Sequence, residues 1–247
     1  QADTSVCPNL RLARTVTFPK NPAKKDPAMY LVHFGAEDVC GLWQSPRDLV
    51  RFWVSRRSTV FRVDNPHTKP AAFWEWLIGE VRAEHPDVIF LAEAFTRPKL
   101  MTGLAKLGFT QSYTYFTWRT QKGELQQYLA ELTAYPERDF YRPNFFVNTP
   151  DILPFHLQGG ESWMFKSRVA LAATLSGSYG IYNGFELLEH DPAPGRAEYL
   201  DCEKYEIKVR DRDGPENIKP YLREPNRARR QTPAAPHHRP APDPSNG

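Results

Sequence analysis

Short apolar runs alternate with amphipathic stretches along most of the chain, from about residue 59 to residue 182. The segment 71–84, AAFWEWLIGEVRAE, places five apolar side chains on one face of a helix. These side chains are Phe73, Trp74, Leu77, Ile78 and Val81. Helices are predicted at 71–84, 98–107, 123–133 and about 162–175. Strands are predicted at 59–64, 88–93, 112–117, 144–147 and 178–182. Strands that alternate with helices through short connections predict an α/β protein built on a parallel sheet.

Acidic residues follow three of the predicted strands, and they are Asp64, Glu93 and Asp151. One carboxylate at a strand end is ordinary, because it can be solvated or can cap the next helix. Three carboxylates that each follow a buried apolar run would cost desolvation energy unless they are used or paired. Because chemistry collects at the carboxyl ends of the strands in a parallel barrel, the pattern predicts an active site at that edge.

The spacing of neighbouring strands suits these acids to glycosyl transfer with retention. That reaction needs a nucleophilic carboxylate and an acid/base carboxyl about 5 Å apart, and neighbouring strands lie about 4.8 Å apart. Asp64 and Glu93 are therefore expected to face each other, with Glu93 keeping a proton because of burial and a nearby like charge. Asp151 would hold sugar hydroxyls and stabilise an oxocarbenium-like charge. Arg62 points to the same side of its strand as Asp64, and we expect it to lower the pKa of that nucleophile.

Several motifs carry a family resemblance. FRVD (61–64) resembles the second signature region of the α-amylase superfamily, FLAE (90–93) the third, and FVNTPD (146–151) the fourth. The longer segments FRVDNPHTKP, VIFLAEAFTRPK, LAKLGFTQSYTYFTWR and EYLDCEKYEI are similar to the α-1,4-glucan:maltose-1-phosphate maltosyltransferases. This resemblance implies an α/β fold that is a partial (β/α)8 TIM barrel, roughly the later five strand–helix units. It also implies that Asp64 is the nucleophile, Glu93 the acid/base and Asp151 the transition-state stabiliser.

The same resemblance implies a set of substrate-binding residues. Asn65 would contact the donor beside the nucleophile, and Lys204 and Tyr205 would bind the maltosyl unit. Lys25 lies in NPAKKDPAMY, which is similar to the family's phosphate-side loop, and is either a point charge for phosphate or an ordinary loop charge. His67 either hydrogen-bonds a sugar hydroxyl or has a structural role after Pro66.

The sequence departs from the family pattern at several positions. Pro150 stands where amylases usually keep a His before the third acid. Asp26 and Ala28 stand where the family has a Tyr and an Asp, so a donor-binding acid of the pattern is absent. Pro225 is expected to interrupt the helix that the family continues past Tyr221, since a proline inside a helix costs about 3 kcal/mol or more.

The patterned part of the chain lies between two segments of different composition. We expect an unpatterned segment at 1–20, a catalytic barrel fragment at 21–230 and a disordered tail at 231–247, which is proline-rich and lacks apolar periodicity. The first three barrel strands and the all-β domain of the superfamily have no counterpart, so the sequence is expected to be truncated at both ends. The resemblance implies homodimeric parent enzymes that assemble largely through domains without a counterpart here, and it leaves the oligomeric state of this chain open.

Composition narrows the classes of function. A net charge of +3 over 247 residues argues against a nucleic-acid binder, and the cluster Arg227, Arg229 and Arg230 is interpreted as a solvated helix end. The longest mostly apolar window, 169–182, is too short and too polar to span a bilayer, so no membrane partner is expected. Three scattered cysteines and an N-terminus without a signal-peptide pattern favour a cytoplasmic location. No metal and no cofactor are implied.

A group of aromatic residues follows the second acid, and it has two interpretations. Tyr113, Tyr115, Phe116 and Trp118 have the spacing of a strand. They either stack on sugar rings or, as strand alternation favours for most of them, belong to the core.

Three functions stay open at this point. The first is transfer of a maltosyl unit from a maltose 1-phosphate donor to the non-reducing end of an α-1,4-glucan acceptor, in glycogen-like glucan synthesis. The second is an α-amylase-type glycoside hydrolase, in which water takes the sugar and no phosphate is needed; the segments NPHTKP and KYEI argue against it. The third is a non-catalytic fragment, because missing strands would leave two exposed sheet edges.

Overall fold

A computed structural model describes residues 39–200 and 207–232 of the protein. In these ranges the α-helices are α1 (Val39–Ser55), α2 (Ala71–Glu84), α3 (Pro98–Lys106), α4 (Lys122–Thr133), α5 (Glu137–Phe140), α6 (Ser162–Leu175) and α7 (Lys219–Gln231). The strands are β1 (Val60–Asp64), β2 (Ile89–Glu93), β3 (Gln111–Tyr113), β4 (Pro143–Phe146) and β5 (Ser178–Gly180). None of the helices in the described ranges is long and apolar enough to cross a membrane.

The five strands form one parallel sheet in the order β1-β2-β3-β4-β5. Each pair of neighbouring strands is joined by at least one helix, as the alternating pattern predicts. In the β1–β2 register Asp64 is paired with Glu93, so the last residues of the two strands lie side by side. The sheet therefore brings two of the three predicted acids to one edge.

The sheet has two chemically different faces, because successive side chains of a strand point in opposite directions. One face carries Phe61, Phe90 and Ala92 and packs against the helices. The opposite face is called the inner face here. It carries Arg62, Asp64, Leu91, Glu93, Tyr113, Phe146 and Gly180, which the registers of the strand pairs place on the same side. The polar groups of the predicted site thus lie on the side away from the helices.

Helix α2 shows how the apolar pattern builds the helix-covered face. It begins and ends where the pattern predicts, at Ala71 and Glu84. The apolar side chains predicted on its packed face are all buried, and they are Phe73, Trp74, Leu77, Ile78 and Val81. Trp74 Nε1 also donates a hydrogen bond of 2.8 Å to the carbonyl oxygen of Pro66. This bond ties α2 to the 3-10 helix Pro66–Thr68, which follows directly after Asp64 and Asn65.

The predicted strand 112–117 is wrong in its second half. Strand β3 ends at Tyr113, and Tyr115–Trp118 form a 3-10 helix. Thr114 ends the strand because its side-chain oxygen accepts a hydrogen bond of 3.4 Å from the backbone nitrogen of Phe116. The turn buries Phe116 in the core, where its ring stacks on Phe145 at a centroid distance of 4.4 Å.

Arg229 of α7 binds the carboxyl end of α6. Its guanidinium donates hydrogen bonds to the carbonyl oxygens of Ala173, of Ser176 at 2.8 Å and of Gly177 at 2.6 Å. The interpretation of Arg229 as part of a solvated helix end is therefore wrong. The last carbonyl groups of a helix have no partner inside it, and Arg229 supplies one.

Helix α7 continues through Pro225, so the expected interruption is also wrong. Contacts on both sides of the proline hold the helix against the rest of the molecule. Leu222 is buried in the core, and Asn226 Oδ1 accepts a hydrogen bond of 2.6 Å from the Tyr179 hydroxyl. These contacts offset the backbone hydrogen bond that the proline removes.

Candidate active site

Asp64 and Glu93 form the centre of the site, at the carboxyl ends of β1 and β2. The strand register places them opposite each other, and the Asp64 carboxyl group helps to raise the pKa of Glu93. Asp64 is exposed to solvent, whereas Glu93 is 6% exposed. The two acids therefore have different environments although they are direct neighbours.

The environment of Glu93 favours its protonated form. Burial, and after it the neighbouring Asp64 carboxyl group, raise the pKa of Glu93 to about 7, against the lowering effect of the positive charge of Arg62. A carboxyl group with a pKa of about 7 is partly protonated at neutral pH, so it can both donate and accept a proton. The expectation that Glu93 keeps a proton beside a second carboxyl group agrees with this geometry.

Arg62 lies between the second and the third acid. Its Nη2 is 3.5 Å from Glu93 Oε1 and 3.8 Å from Asp151 Oδ2. The sequence predicted that Arg62 acts on Asp64, but the described ion pairs of Arg62 are with the other two acids. The side chain extends across the inner face toward the turn after β4, where Asp151 lies.

Asp151 is held by a tight turn after β4. Thr149 and Ile152 exchange two backbone hydrogen bonds of 3.1 Å, and the Asp151 backbone nitrogen donates to Thr149 Oγ1 at 3.2 Å. Before the turn, the buried amide of Asn148 accepts from the Tyr182 backbone nitrogen at 2.8 Å and donates to the Tyr199 hydroxyl. The turn thereby directs the third carboxylate toward Arg62 and Glu93.

Asn65 lies directly beside the candidate nucleophile. Its Nδ2 donates a hydrogen bond of 3.0 Å to Asp64 Oδ1, and its backbone nitrogen donates to the Glu93 carbonyl oxygen at 2.9 Å. Its φ of 47° lies in the left-handed region, which asparagine tolerates better than most residues. Asn65 therefore turns the chain out of β1 and orients the Asp64 carboxylate.

His67 lies in the 3-10 helix that follows Asn65, and it is half-buried. Its Nδ1 atom is buried and has no hydrogen-bond partner in the described structure. No hydrogen bond between this ring and Asp64 is found among the described residues. Lys25, Lys204 and Tyr205, the other predicted binding residues, lie outside the described residues.

Tyr113 is a site residue whose contacts the sequence pattern did not predict. It is 5% exposed, as the core interpretation requires, but it lies on the inner face beside Glu93, and burial raises the pKa of Tyr113 against the lowering effect of the Arg62 charge. Phe116 is also buried, whereas Trp118 is exposed and Tyr115 is half-buried. The signal that could have found Tyr113 is the alternation of side chains along a strand. It would have placed Tyr113 on the inner face if the end of β3 had been known.

The chemistry of the site follows from these groups together. The buried carboxyl group of Glu93 and the carboxyl group of Asp151 flank the Arg62 guanidinium, and the exposed carboxyl group of Asp64 lies beside Glu93. Such a set can attack an electrophilic carbon, move one proton and stabilise positive charge. Among the described residues, no group of three or more His, Cys, Asp and Glu side chains could hold a metal ion.

The sequence is similar to curated maltosyltransferases over most of its length. It is 54% identical over 220 residues to the α-1,4-glucan:maltose-1-phosphate maltosyltransferase of Cereibacter sphaeroides, covering 89% of this chain and 37% of that protein. It is 54% identical over 225 residues to that of Pseudomonas aeruginosa, covering 91% of this chain and 34% of the relative. It is 52% identical over 225 residues to the enzyme of Mycolicibacterium smegmatis, covering 89% of this chain and 32% of that relative. The resemblance carried by the motifs is confirmed, and the chain spans about a third of the length of these relatives. No family model matches the sequence.

The fold is similar to that of α-amylases of known structure. The chain aligns with the α-amylase of Geobacillus thermoleovorans, complexed with acarbose, with a TM-score of 0.63 and 17% identity over 81% of this chain and 47% of that chain. The alignment with an Anoxybacillus α-amylase has a TM-score of 0.64 and 17% identity, and it covers 81% of this chain and 46% of that chain. At this identity the likeness shows the fold alone. The prediction of a partial TIM barrel is confirmed, with five parallel strands of the α-amylase fold.

Proposed function

We propose that this chain carries the catalytic acids for retaining transfer of a maltosyl unit from α-maltose 1-phosphate to the non-reducing end of an α-1,4-glucan. The observation that supports this most is the pair of carboxyl groups of Asp64 and Glu93 at the ends of adjacent strands, with the pKa of Glu93 at about 7. The curated relatives, at 50–54% identity, are named for this donor and this acceptor. The proposal places the reaction in glucan synthesis.

In the first step Asp64 is the nucleophile. Its carboxylate attacks the anomeric carbon of the donor, the bond from that carbon to the phosphate oxygen breaks, and phosphate leaves with the bonding electrons and with the proton of Glu93, which becomes a carboxylate. Asn65 orients the attacking carboxylate through its bond to Asp64 Oδ1. Asp151 stabilises the positive charge that develops on the sugar, because the turn 149–152 holds it near the same centre.

In the second step Glu93 is the general base. Its carboxylate takes the proton from the 4-hydroxyl of the acceptor, whose oxygen attacks the anomeric carbon and displaces Asp64. A base with a pKa of about 7 suits this step near neutral pH. Two displacements at the same carbon retain its configuration. The binding roles of Lys25, His67, Lys204 and Tyr205 belong to this proposal, and so does a cytoplasmic location.

The test is phosphate release from maltose 1-phosphate with maltohexaose as the acceptor. We expect release together with acceptors lengthened by two glucose units, and we expect both to disappear in Asp64→Asn. Asp87→Asn is the matched control, because Asp87 is an exposed residue of the turn between α2 and β2 and lies away from the site. Its rate should equal that of the unchanged chain.

Three other results would contradict the proposal. Shortened maltohexaose in the absence of the phosphate donor would indicate an α-amylase-type hydrolase. Equal rates in Asp64→Asn and the unchanged chain would remove Asp64 from the nucleophile role. No release from a folded chain would show that these residues do not complete the reaction by themselves.

A further inference from the structure

A hairpin from a later part of the chain lies against the turn that carries Asp151. It consists of residues 191–200, in which Pro192 and Tyr199 lie opposite each other as an antiparallel bridge. The hairpin contributes no group to the proposed steps. Its contacts with the turn nevertheless give it a part in placing the third carboxylate.

The hairpin is hydrogen-bonded to the chain on both sides of Asp151. After the turn, the backbone nitrogen of Leu153 donates a hydrogen bond of 2.9 Å to the carbonyl oxygen of Ala197. Before the turn, Asn148 Nδ2 donates to the hydroxyl group of Tyr199. The segment that carries Asp151 is therefore fastened at its two ends to one and the same hairpin.

The bond between Asn148 and Tyr199 is buried and has a defined direction. Asn148 is 0% exposed and Tyr199 is 6% exposed. Asn148 Oδ1 accepts a hydrogen bond of 2.8 Å from the backbone nitrogen of Tyr182, and because a backbone N–H group only donates, the orientation of the amide is settled. The Tyr199 hydroxyl group is thus the acceptor for Nδ2. The Tyr199 ring also packs edge-on against the Tyr182 ring, at a centroid distance of 5.6 Å.

We propose that Tyr199 is a positioning residue for Asp151, which it holds in place through the amide of Asn148. The importance of this position for catalysis rests on the proposed function, whereas the placement of the turn does not. Asn148 directly precedes the turn, in which Thr149 and Ile152 exchange two backbone hydrogen bonds. Without the Tyr199 hydroxyl group, a buried N–H group of Asn148 loses its acceptor, and this favours conformations in which the amide leaves its place.

The position of Asp151 matters because its carboxylate acts through its charge. Its Oδ2 lies 3.8 Å from Arg62 Nη2, on the face of the sheet where the sugar would develop positive charge. Stabilisation of a transition state by a fixed charge depends on where that charge is held. A displacement of about 1 Å can lower a rate by up to about a hundredfold.

Amide hydrogen exchange measured by NMR tests the placement of the turn. The backbone N–H groups of Thr149 and Ile152 donate the two bonds of the turn, so their exchange reports its opening. The rates are expressed relative to those of the β2 amides, which open with the whole sheet. Tyr199→Phe keeps the ring and removes the hydroxyl group, and we expect the two turn amides to exchange roughly tenfold faster than in the unchanged chain.

Tyr128→Phe is the matched control for this measurement. Tyr128 is about equally buried, and its hydroxyl group also accepts a hydrogen bond, of 3.0 Å, from the backbone nitrogen of Tyr115. The substitution therefore removes the same kind of buried acceptor at a place that has no bond to the turn. It should leave the relative exchange of Thr149 and Ile152 unchanged.

Phosphate release tests whether Tyr199 acts through Asp151. Tyr199→Phe should lower kcat roughly tenfold and leave KM for maltose 1-phosphate within about a factor of two, because it displaces a group that acts mainly in the transition state. In the Asp151→Asn background the same change should lower the residual kcat by less than about twofold, because the charge that it positions is gone. A side chain that only stabilised the fold would lower kcat by the same factor in both backgrounds.

Unchanged exchange of Thr149 and Ile152 in Tyr199→Phe, equal acceleration in Tyr128→Phe, or the full loss of kcat in the Asp151→Asn background would each overturn the inference. The exchange measurement needs no turnover, so it separates this inference from the proposed function. Faster exchange in Tyr199→Phe without phosphate release from the unchanged chain would contradict the proposed function and leave the placement of Asp151 by Tyr199 standing.

Discussion

Two adjacent carboxyl groups of the same chemistry have different surroundings in this protein. Asp64 is exposed and is bonded to the Asn65 amide, while Glu93 is buried between β1 and β3. Burial and the neighbouring Asp64 carboxyl group raise the pKa of Glu93 to about 7, against the lowering effect of Arg62. These are the two environments that the proposed transfer requires, an ionised carboxylate for attack and a carboxyl group that can move a proton.

The raised pKa of Glu93 makes the stability of the fold depend on pH. An unfolded glutamate loses its proton near pH 4.3, whereas the folded one keeps it until about pH 7. The folded state therefore holds more protons between these values, and its stability falls as pH rises through that window and levels off above it. In Glu93→Gln this loss should disappear.

The measurement is urea unfolding at pH 5 and pH 8. From pH 5 to pH 8, the free energy of unfolding of the unchanged chain should fall by on the order of 1–3 kcal/mol more than that of Glu93→Gln. Glu75→Gln, an exposed change on α2, serves as the control and should show no such difference. The same pH dependence in Glu93→Gln and the unchanged chain would refute the role of Glu93.

Single residues could be assigned from the sequence where a motif and a strand end coincide. Asp64, Glu93 and Asp151 were found in this way, and in the structure Asp64 lies beside Glu93 while Glu93 and Asp151 flank the Arg62 guanidinium. The sequence did not predict which acids Arg62 pairs with, or that Tyr113 lies beside Glu93. Both contacts depend on which atoms of different strands approach each other. The spacing of residues along one strand does not give the distances between strands.

At the scale of elements, helix α6 depends on a side chain from another helix. Arg229 of α7 donates to three carbonyl groups at the end of α6, and its guanidinium lies 5.4 Å from the Tyr179 ring centroid. A cation at the carboxyl end of a helix also interacts favourably with the helix dipole. The contact fixes α6, which packs behind β4 and β5.

Removal of this contact should destabilise the fold. Arg229→Met keeps much of the side-chain length but leaves the carbonyl groups of 173, 176 and 177 without the donor, and we expect a loss of about 1.5–3 kcal/mol. Arg227→Met, an exposed change two residues earlier on the same helix, should cost much less. Equal shifts of the urea midpoint in the two variants would contradict the assigned role.

Elements with a long apolar period were predicted well. Helices α2 and α6 have the predicted bounds, because a helix of fourteen residues repeats its apolar pattern several times. Strand β3 has only three residues, too few to show a repeating apolar pattern. The aromatic residues that follow it were therefore predicted as part of the same strand. The side chain of Thr114 and the burial of Phe116 decided where that strand ends.

At the scale of the molecule, the described sheet has a protected interior strand and less protected edges. Strand β2 has neighbours on both sides, whereas β1 and β5 each pair on one side within the described residues. Backbone N–H groups on the open side of an edge strand have no ladder partner. Protection of the backbone should therefore vary across the sheet.

Hydrogen–deuterium exchange measured by mass spectrometry tests this difference. Peptides covering Ile89–Glu93 should exchange more slowly than peptides covering Val60–Asp64, because opening β2 disrupts two strand pairs and the core beneath Phe90 and Ala92. Equal protection of the two peptides would show that β1 is paired on its other side as well.

By itself, the sequence determined the class of fold, the order of strands and helices and the identity of the three acids. These are local properties, because apolar periodicity sets each element and an acid at a strand end needs no distant residue to be recognised. The tertiary structure alone decided that Arg62 pairs with Glu93 and Asp151, that Arg229 binds the end of α6 and that Tyr113 lies beside Glu93. Each of these depends on the register of parallel strands and on the packing of helices far apart in the chain. Distances of this kind arise only when the whole sheet is assembled.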